Sequence, residues 1–117
     1  MSHTNTKESL QNLLKEPNDV LVGVDMDGVI CVGEWWGLHH EDPKPNHDMI
    51  TFMWDLYKKG AHLIVYTARQ PTYYPETHAW LIKNRVPFHG IAMTMKPGAD
   101  VYIDDKAIHL DDISKWL

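Results

Sequence analysis

The sequence predicts an α/β domain built on a mainly parallel sheet, and three observations carry that expectation. Apolar runs at 20–25, 61–66, 86–93 and 101–103 have the length of buried strands. Stretches with apolar residues at helical spacing lie between them. The first and last runs lead into paired acids, Asp25/Asp27 and Asp104/Asp105, as at the carboxyl edge of an open sheet, where such folds bind ligands.

A chain of 117 residues has the length of one domain, spanning 1–117 with 1–19 as an N-terminal helix or extension. Sixteen acidic residues against 11 basic ones give a net charge of −5. No Lys/Arg cluster offers a footprint for duplex nucleic acid, so no such partner is expected. The polar start is unlike a signal peptide, and no apolar run reaches membrane-spanning length. A lone cysteine, Cys31, has no partner in the chain for a disulfide and fits a reducing, cytoplasmic setting. As a side chain it reads as a small buried apolar group.

Each element has its own signal. Leu10, Leu13 and Leu14 suggest a short amphipathic helix over 7–16, closed by Pro17. The strand at 20–25 follows. Residues 28–45, with Gly33, Trp35, Trp36, Gly37 and two prolines, read as an irregular excursion or a small hairpin that can overhang the acids. Asn46 is placed to cap a helix whose buried face is Ile50, Met53, Trp54 and Tyr57, ended by Lys58, Lys59 and Gly60. A strand at 61–66 runs into Thr67, Ala68 and Arg69. Pro75 suits the first turn of a further helix, with Trp80 and Leu81 buried, running to about Asn84. Right-handed crossovers then bring Asp25/Asp27, Thr67 and Asp104/Asp105 to one edge.

Four carboxylates gathered there repel, by roughly 4 kcal/mol for two charges about 4 Å apart at an effective dielectric of about 20. They persist only if protons or a cation neutralise them. The donors are hard oxygens without thiolate or imidazole, which suits Mg²⁺ better than zinc. A carboxylate can attack phosphorus, and a second can protonate a leaving group and then activate water. Thr67 offers a hydroxyl and an N–H to phosphoryl oxygens, and Lys96 a point charge.

Asp-Met-Asp-Gly at 25–28, strand-Thr at 67, Lys96 and strand-Asp-Asp at 104–105 resemble the four motifs of the haloacid dehalogenase (HAD) superfamily, over nearly the whole chain from residue 20. The resemblance implies a Rossmann-like, three-layer core of about four strands, with no room for a cap domain. It implies Asp25 as nucleophile and Asp27 as general acid/base. Mg²⁺ would be held by Asp25, the backbone carbonyl of Asp27 and a motif-four acid, Asp105 directly with Asp104 nearby. Thr67 and Lys96 would hold the phosphoryl group, and Ala68, Arg69 and Gly28 are further candidates for binding substrate phosphate. An acid at 27 points to phosphatases, since dehalogenase members lack it. The expected reaction is Mg²⁺-dependent hydrolysis of a phosphomonoester on a small metabolite, a nucleotide or sugar phosphate.

Plainer readings stand beside these. Asp25 and Asp27 can cap an Asp-Gly turn, Lys96 can be a solvated loop lysine, and Asp105 can pair with Lys106 at the surface. Arg69 divides evenly between contacting substrate phosphate and pairing with a motif acid. His39, His40, Glu41, Asp42 and His47 fit no strong zinc spacing. Trp35 and Trp36 either stack on a base or sugar or plug the core. The rival functions are end processing like that of polynucleotide 3′-phosphatases on a nucleotide or oligonucleotide end, a phosphotransferase using the same Asp25 intermediate, and a non-catalytic phosphate- or partner-binding module. Nothing in the sequence fixes an oligomeric state.

Overall fold

The computed structural model describes residues 15–32 and 42–104. In chain order these form β1 (Leu21–Asp25), β2 (Cys31–Val32), β3 (Lys44–Pro45), α1 (His47–Lys58), β4 (His62–Thr67), a 3₁₀ turn (Pro71–Tyr73), α2 (Tyr74–Lys83), β5 (Gly90–Met93) and β6 (Val101–Ile103). The four longer strands make one parallel sheet in the order β5-β4-β1-β6, a Rossmann-like α/β arrangement with β1 inside. β2 and β3 pair antiparallel, so the excursion after β1 has a hairpin at its base. The tryptophan-bearing stretch between them lies outside the described residues, as do most of the N-terminal helix expected at 7–16 and residues 105–117.

The two faces of the sheet differ in chemistry. Strand alternation puts Val22 and Val24 of β1, Leu63 and Val65 of β4, and Val101 and Ile103 of β6 on one face, all buried. Met49, Met53 and Leu56 of α1 and Trp80 and Leu81 of α2 belong to the same buried cluster. Two right-handed crossovers stepping the same way, β1 to β4 to β5, put both helices on that side. The opposite face carries Gly23, Asp25, Ile64, Tyr66, Gly90, Ala92 and Tyr102. There the β5–β6 connection is tied to the sheet by Tyr102, whose hydroxyl donates to the Pro97 carbonyl (2.6 Å) and accepts from the Ala99 N–H (3.1 Å). A Cβ on Gly23 would come within 3.1 Å of the Tyr102 ring, so glycine lets that ring approach β1.

Local signals operate as the sequence suggests, with three differences. The Asn46 side chain caps α1 by accepting from Met49 N–H (3.2 Å), and Gly60 leaves the helix end at φ +94°. The buried face of α1 is rotated from the expected one: Met49, Ile50, Phe52, Met53 and Leu56 are buried, Trp54 sits at the margin, and Tyr57 is exposed. Trp54 instead donates from Nε1 to the Arg85 carbonyl at 2.7 Å. The strand expected from 86 begins only at Gly90. Val86 N–H still closes α2 on the Leu81 carbonyl, and Pro87 brings no donor to a ladder. β4 is shifted by one residue, to His62–Thr67.

Candidate active site

All four sheet strands are parallel, so the ends of β1, β4 and β6 meet at one edge. Register places Asp25 opposite Tyr66 and Val24 opposite Ile103, which brings Asp104 alongside Asp25 one step further on. The edge holds Asp25, Asp27, Thr67, Arg69, Lys96 and Asp104. They fall into two groups, one on each side of the sheet.

The first group is centred on Asp27. Met26 follows β1, and its carbonyl accepts N–H groups from Val29, Ile30 and Cys31, forming the tight turn that carries Asp27 and Gly28. Gly28 is exposed at φ +89° with open space where a Cβ would stand. Arg69 closes on the Asp27 carboxylate with Nη2 at 2.8 Å from Oδ1 and Nε at 3.3 Å from Oδ2. Thr67 donates its hydroxyl to Oδ2 at 2.9 Å and accepts the Arg69 N–H at 3.2 Å. Arg69 Nη1 reaches the Thr77 hydroxyl of α2 at 3.1 Å. Arg69 and Thr77 are buried, whereas the Asp27 side chain keeps 22% of its surface. A guanidinium brought into the interior needs such a set of acceptors. Of the two alternatives the sequence leaves for Arg69, the structure shows the pairing with an acid, Asp27. Ala68 is exposed between Thr67 and Arg69.

Cys31 completes this side. It is buried, and its thiol lies 3.5 Å from Asp27 Oδ1 and 3.4 Å from the Met26 carbonyl. Burial first, and the Asp27 charge second, push the thiol up from 9.0 to about 12. It stays protonated at neutral pH, a weak donor to the acid and no nucleophile.

The second group is on the opposite face. Tyr66 donates its hydroxyl to Asp104 Oδ2 at 3.1 Å, and Lys96 Nζ stands 3.5 Å from the same oxygen. Burial, then the charges of Asp104 and Asp25, push the Tyr66 phenol upward, so it remains a donor. The Lys96 ammonium lies over the Tyr102 ring, 4.1 Å from its centroid, and 5.9 Å from that of Tyr66. The acids are thus partly offset by cations of the chain itself: Asp27 by Arg69, and Asp104 by Lys96.

Asp25, Asp104 and the Asp27 carbonyl are hard oxygen donors of the kind Mg²⁺ takes. Among the described residues, however, no three His, Cys, Asp or Glu side chains gather closely enough to hold a metal. Asp105, expected as the direct ligand, lies outside the described residues, together with Lys106, Trp35, Trp36, His39, His40 and Glu41. Asp42 pairs with Lys83 at the surface, and His47 is exposed at the start of α1.

Reasoning from sequence missed Tyr66, Tyr102 and Thr77. Period-2 alternation through β4 and β6 was a usable signal for the tyrosines, since it assigns both to the face of Asp25. Thr77 carried none beyond being a polar residue one turn before a buried tryptophan.

No family model matches the chain, and no curated protein matches it in sequence. The fold is similar to a crystal structure of a structural-genomics target from Vibrio cholerae, at a TM-score of 0.57 and 24% sequence identity. The likeness covers 83% of this chain and 95% of that one, and at this identity it speaks for the fold alone. Among the described residues no helix is long and apolar enough to cross a membrane.

Proposed function

We propose that this chain is a phosphomonoester hydrolase of the HAD type, working through an aspartyl-phosphate on Asp25. The observation that carries the reading is the convergence, at the carboxyl edge of one parallel sheet, of two acids from β1 and its turn, a hydroxyl ending β4, and a lysine–aspartate pair next to β6.

In the first step an Asp25 carboxylate oxygen bonds to phosphorus as the bond to the ester oxygen breaks, and Asp27 gives that oxygen its proton. In the second, Asp27 removes a proton from water, the water oxygen bonds to phosphorus, and the acyl-phosphate bond breaks to release phosphate and restore Asp25. Lys96 sets a positive charge against the phosphoryl oxygens. Arg69 and Thr67 orient Asp27 at both of its oxygens. A Mg²⁺ ion bound by Asp25, the Asp27 carbonyl and Asp105 would offset the negative charge of acids and phosphate. The preferred substrates are small phosphorylated metabolites, nucleotides or sugar phosphates.

The test is hydrolysis of p-nitrophenyl phosphate with and without Mg²⁺ by the wild type and Asp25→Asn. The reading expects Mg²⁺-dependent turnover that disappears in the variant, and turnover surviving the substitution rejects it. One observation favours a second reading, a phosphate-binding module without turnover: Asp27 is engaged by Arg69 and Thr67 at both oxygens. Compounds that bind but are never hydrolysed would support that reading.

A further inference from the structure

We infer that Tyr102 is a positioning residue that presents Lys96 at the sheet edge, using its hydroxyl for the loop and its ring for the ammonium. The inference rests on the proposed role of Lys96 toward phosphate. A lysine with a half-exposed side chain on a seven-residue connection, 94–100, has many rotamers, and each one sampled away from the site weakens phosphate binding. Tyr102 restricts it in two ways. Its hydroxyl joins the carbonyl of Pro97 to the N–H of Ala99, which fixes the backbone directly after Lys96. Its ring lies beneath the ammonium, 4.1 Å from Nζ to centroid, where the quadrupole attracts a cation.

The surroundings fit a positioning role rather than simple packing. Tyr66 meets the Tyr102 ring edge-on, with centroids 6.2 Å apart at 86°, and donates to the same Asp104 oxygen that Lys96 approaches. Two rings and one carboxylate oxygen therefore border the ammonium. Gly23 makes the arrangement possible, because a side chain there would press on the Tyr102 ring at Cδ1 (3.1 Å) and Cε1 (3.4 Å). The glycine in the middle of β1 is thus accounted for by where a ring on β6 must lie.

The two functions separate by substitution. Tyr102→Phe keeps the ring and loses the hydroxyl, and Tyr102→Leu loses both. Nuclear magnetic resonance of the whole chain reads position without any need for turnover. The Ala99 amide should lose protection from exchange in both variants, whereas the ring-current shift of the Lys96 side chain should persist in Tyr102→Phe and fall to the smaller contribution of the more distant Tyr66 ring in Tyr102→Leu. Unchanged Lys96 shifts in Tyr102→Leu overturn the inference. With p-nitrophenyl phosphate, KM should rise several-fold in Tyr102→Phe and about tenfold or more in Tyr102→Leu, with kcat nearly constant. Adding Tyr102→Leu to Lys96→Met should raise KM little further. An equal rise with and without Lys96 reduces Tyr102 to packing and overturns the inference. If the wild type hydrolyses nothing, the resonance arm still decides the positioning claim, and only the catalytic reading fails.

Discussion

Arg69 grips Asp27 from 42 residues along the chain, with Nη2 and Nε each facing one carboxylate oxygen and Nη1 anchored to Thr77 of α2. The carboxyl edge of β1 is thereby tied to a helix that follows β4. Because the arginine side chain keeps only 3% of its surface, removing a partner strands a buried charge or donor.

Thermodynamic coupling along this chain of contacts is the first prediction. Arg69→Met should lower stability by about 2 kcal/mol or more, below the full cost of breaking a buried pair because Asp27 is partly wet. Thr77→Val should cost about 1–2 kcal/mol by removing one acceptor from the buried guanidinium. Urea unfolding of both single variants and the double should show Thr77→Val costing clearly less once Arg69 is gone. Strict additivity would contradict the linkage.

A second prediction concerns two glycines with left-handed backbones. Gly28 and Gly60 share nearly the same φ, +89° and +94°, yet a Cβ on Gly28 meets nothing within 4 Å while one on Gly60 runs into the Asn18 side chain. Gly28→Ala should therefore cost only the backbone strain, about 1 kcal/mol. Gly60→Ala should cost more, and Asn18→Ala in that background should recover much of the difference. Equal losses at the two positions would argue against the Asn18 contact.

Alkaline stability gives a third. The Cys31 thiol, at 9.0 when exposed, is pushed up to about 12 by burial and by Asp27. Between those values the unfolded chain releases a proton that the folded chain retains, so stability falls as pH rises, by about 1.4 kcal/mol per pH unit at most. Tyr66, also pushed upward, acts in the same direction. Denaturant titrations from pH 8 to about 11 should show a smaller loss for Cys31→Ala than for the wild type, and iodoacetamide should label Cys31 only on unfolding. Fast labelling of the native chain at pH 8 would contradict the burial argument.

Much of the fold was legible because its signals are local. Apolar runs marked the sheet strands, Asn46 and Gly60 the ends of α1, and Pro75 the first turn of α2. Errors arose where a pattern admitted two solutions. In α1, Ile50 and Met53 belong both to a stripe with Trp54 and Tyr57 and to one with Met49 and Leu56, and only packing against the sheet selects the second. Apolar Val86 and Phe88 extended the apparent third strand across a proline. The edge that gathers Asp25, Asp27, Thr67 and Asp104 followed from topology. Partners within the edge did not, because Arg69–Asp27 and Tyr66–Asp104 pair across 42 and 38 residues, beyond any local pattern.

The fourth prediction bears on the central claim, that Asp25 carries the phosphoryl group during turnover. The direct measurement is borohydride trapping: the protein is mixed with p-nitrophenyl phosphate and Mg²⁺, quenched during turnover, reduced, digested and analysed by mass spectrometry. An acyl-phosphate on Asp25 is reduced to homoserine at that position, and the account predicts this product at residue 25 in a substrate-dependent yield, with none in Asp25→Asn. Sustained hydrolysis with residue 25 recovered only as aspartate, or with the reduced residue found elsewhere in the chain, would contradict it.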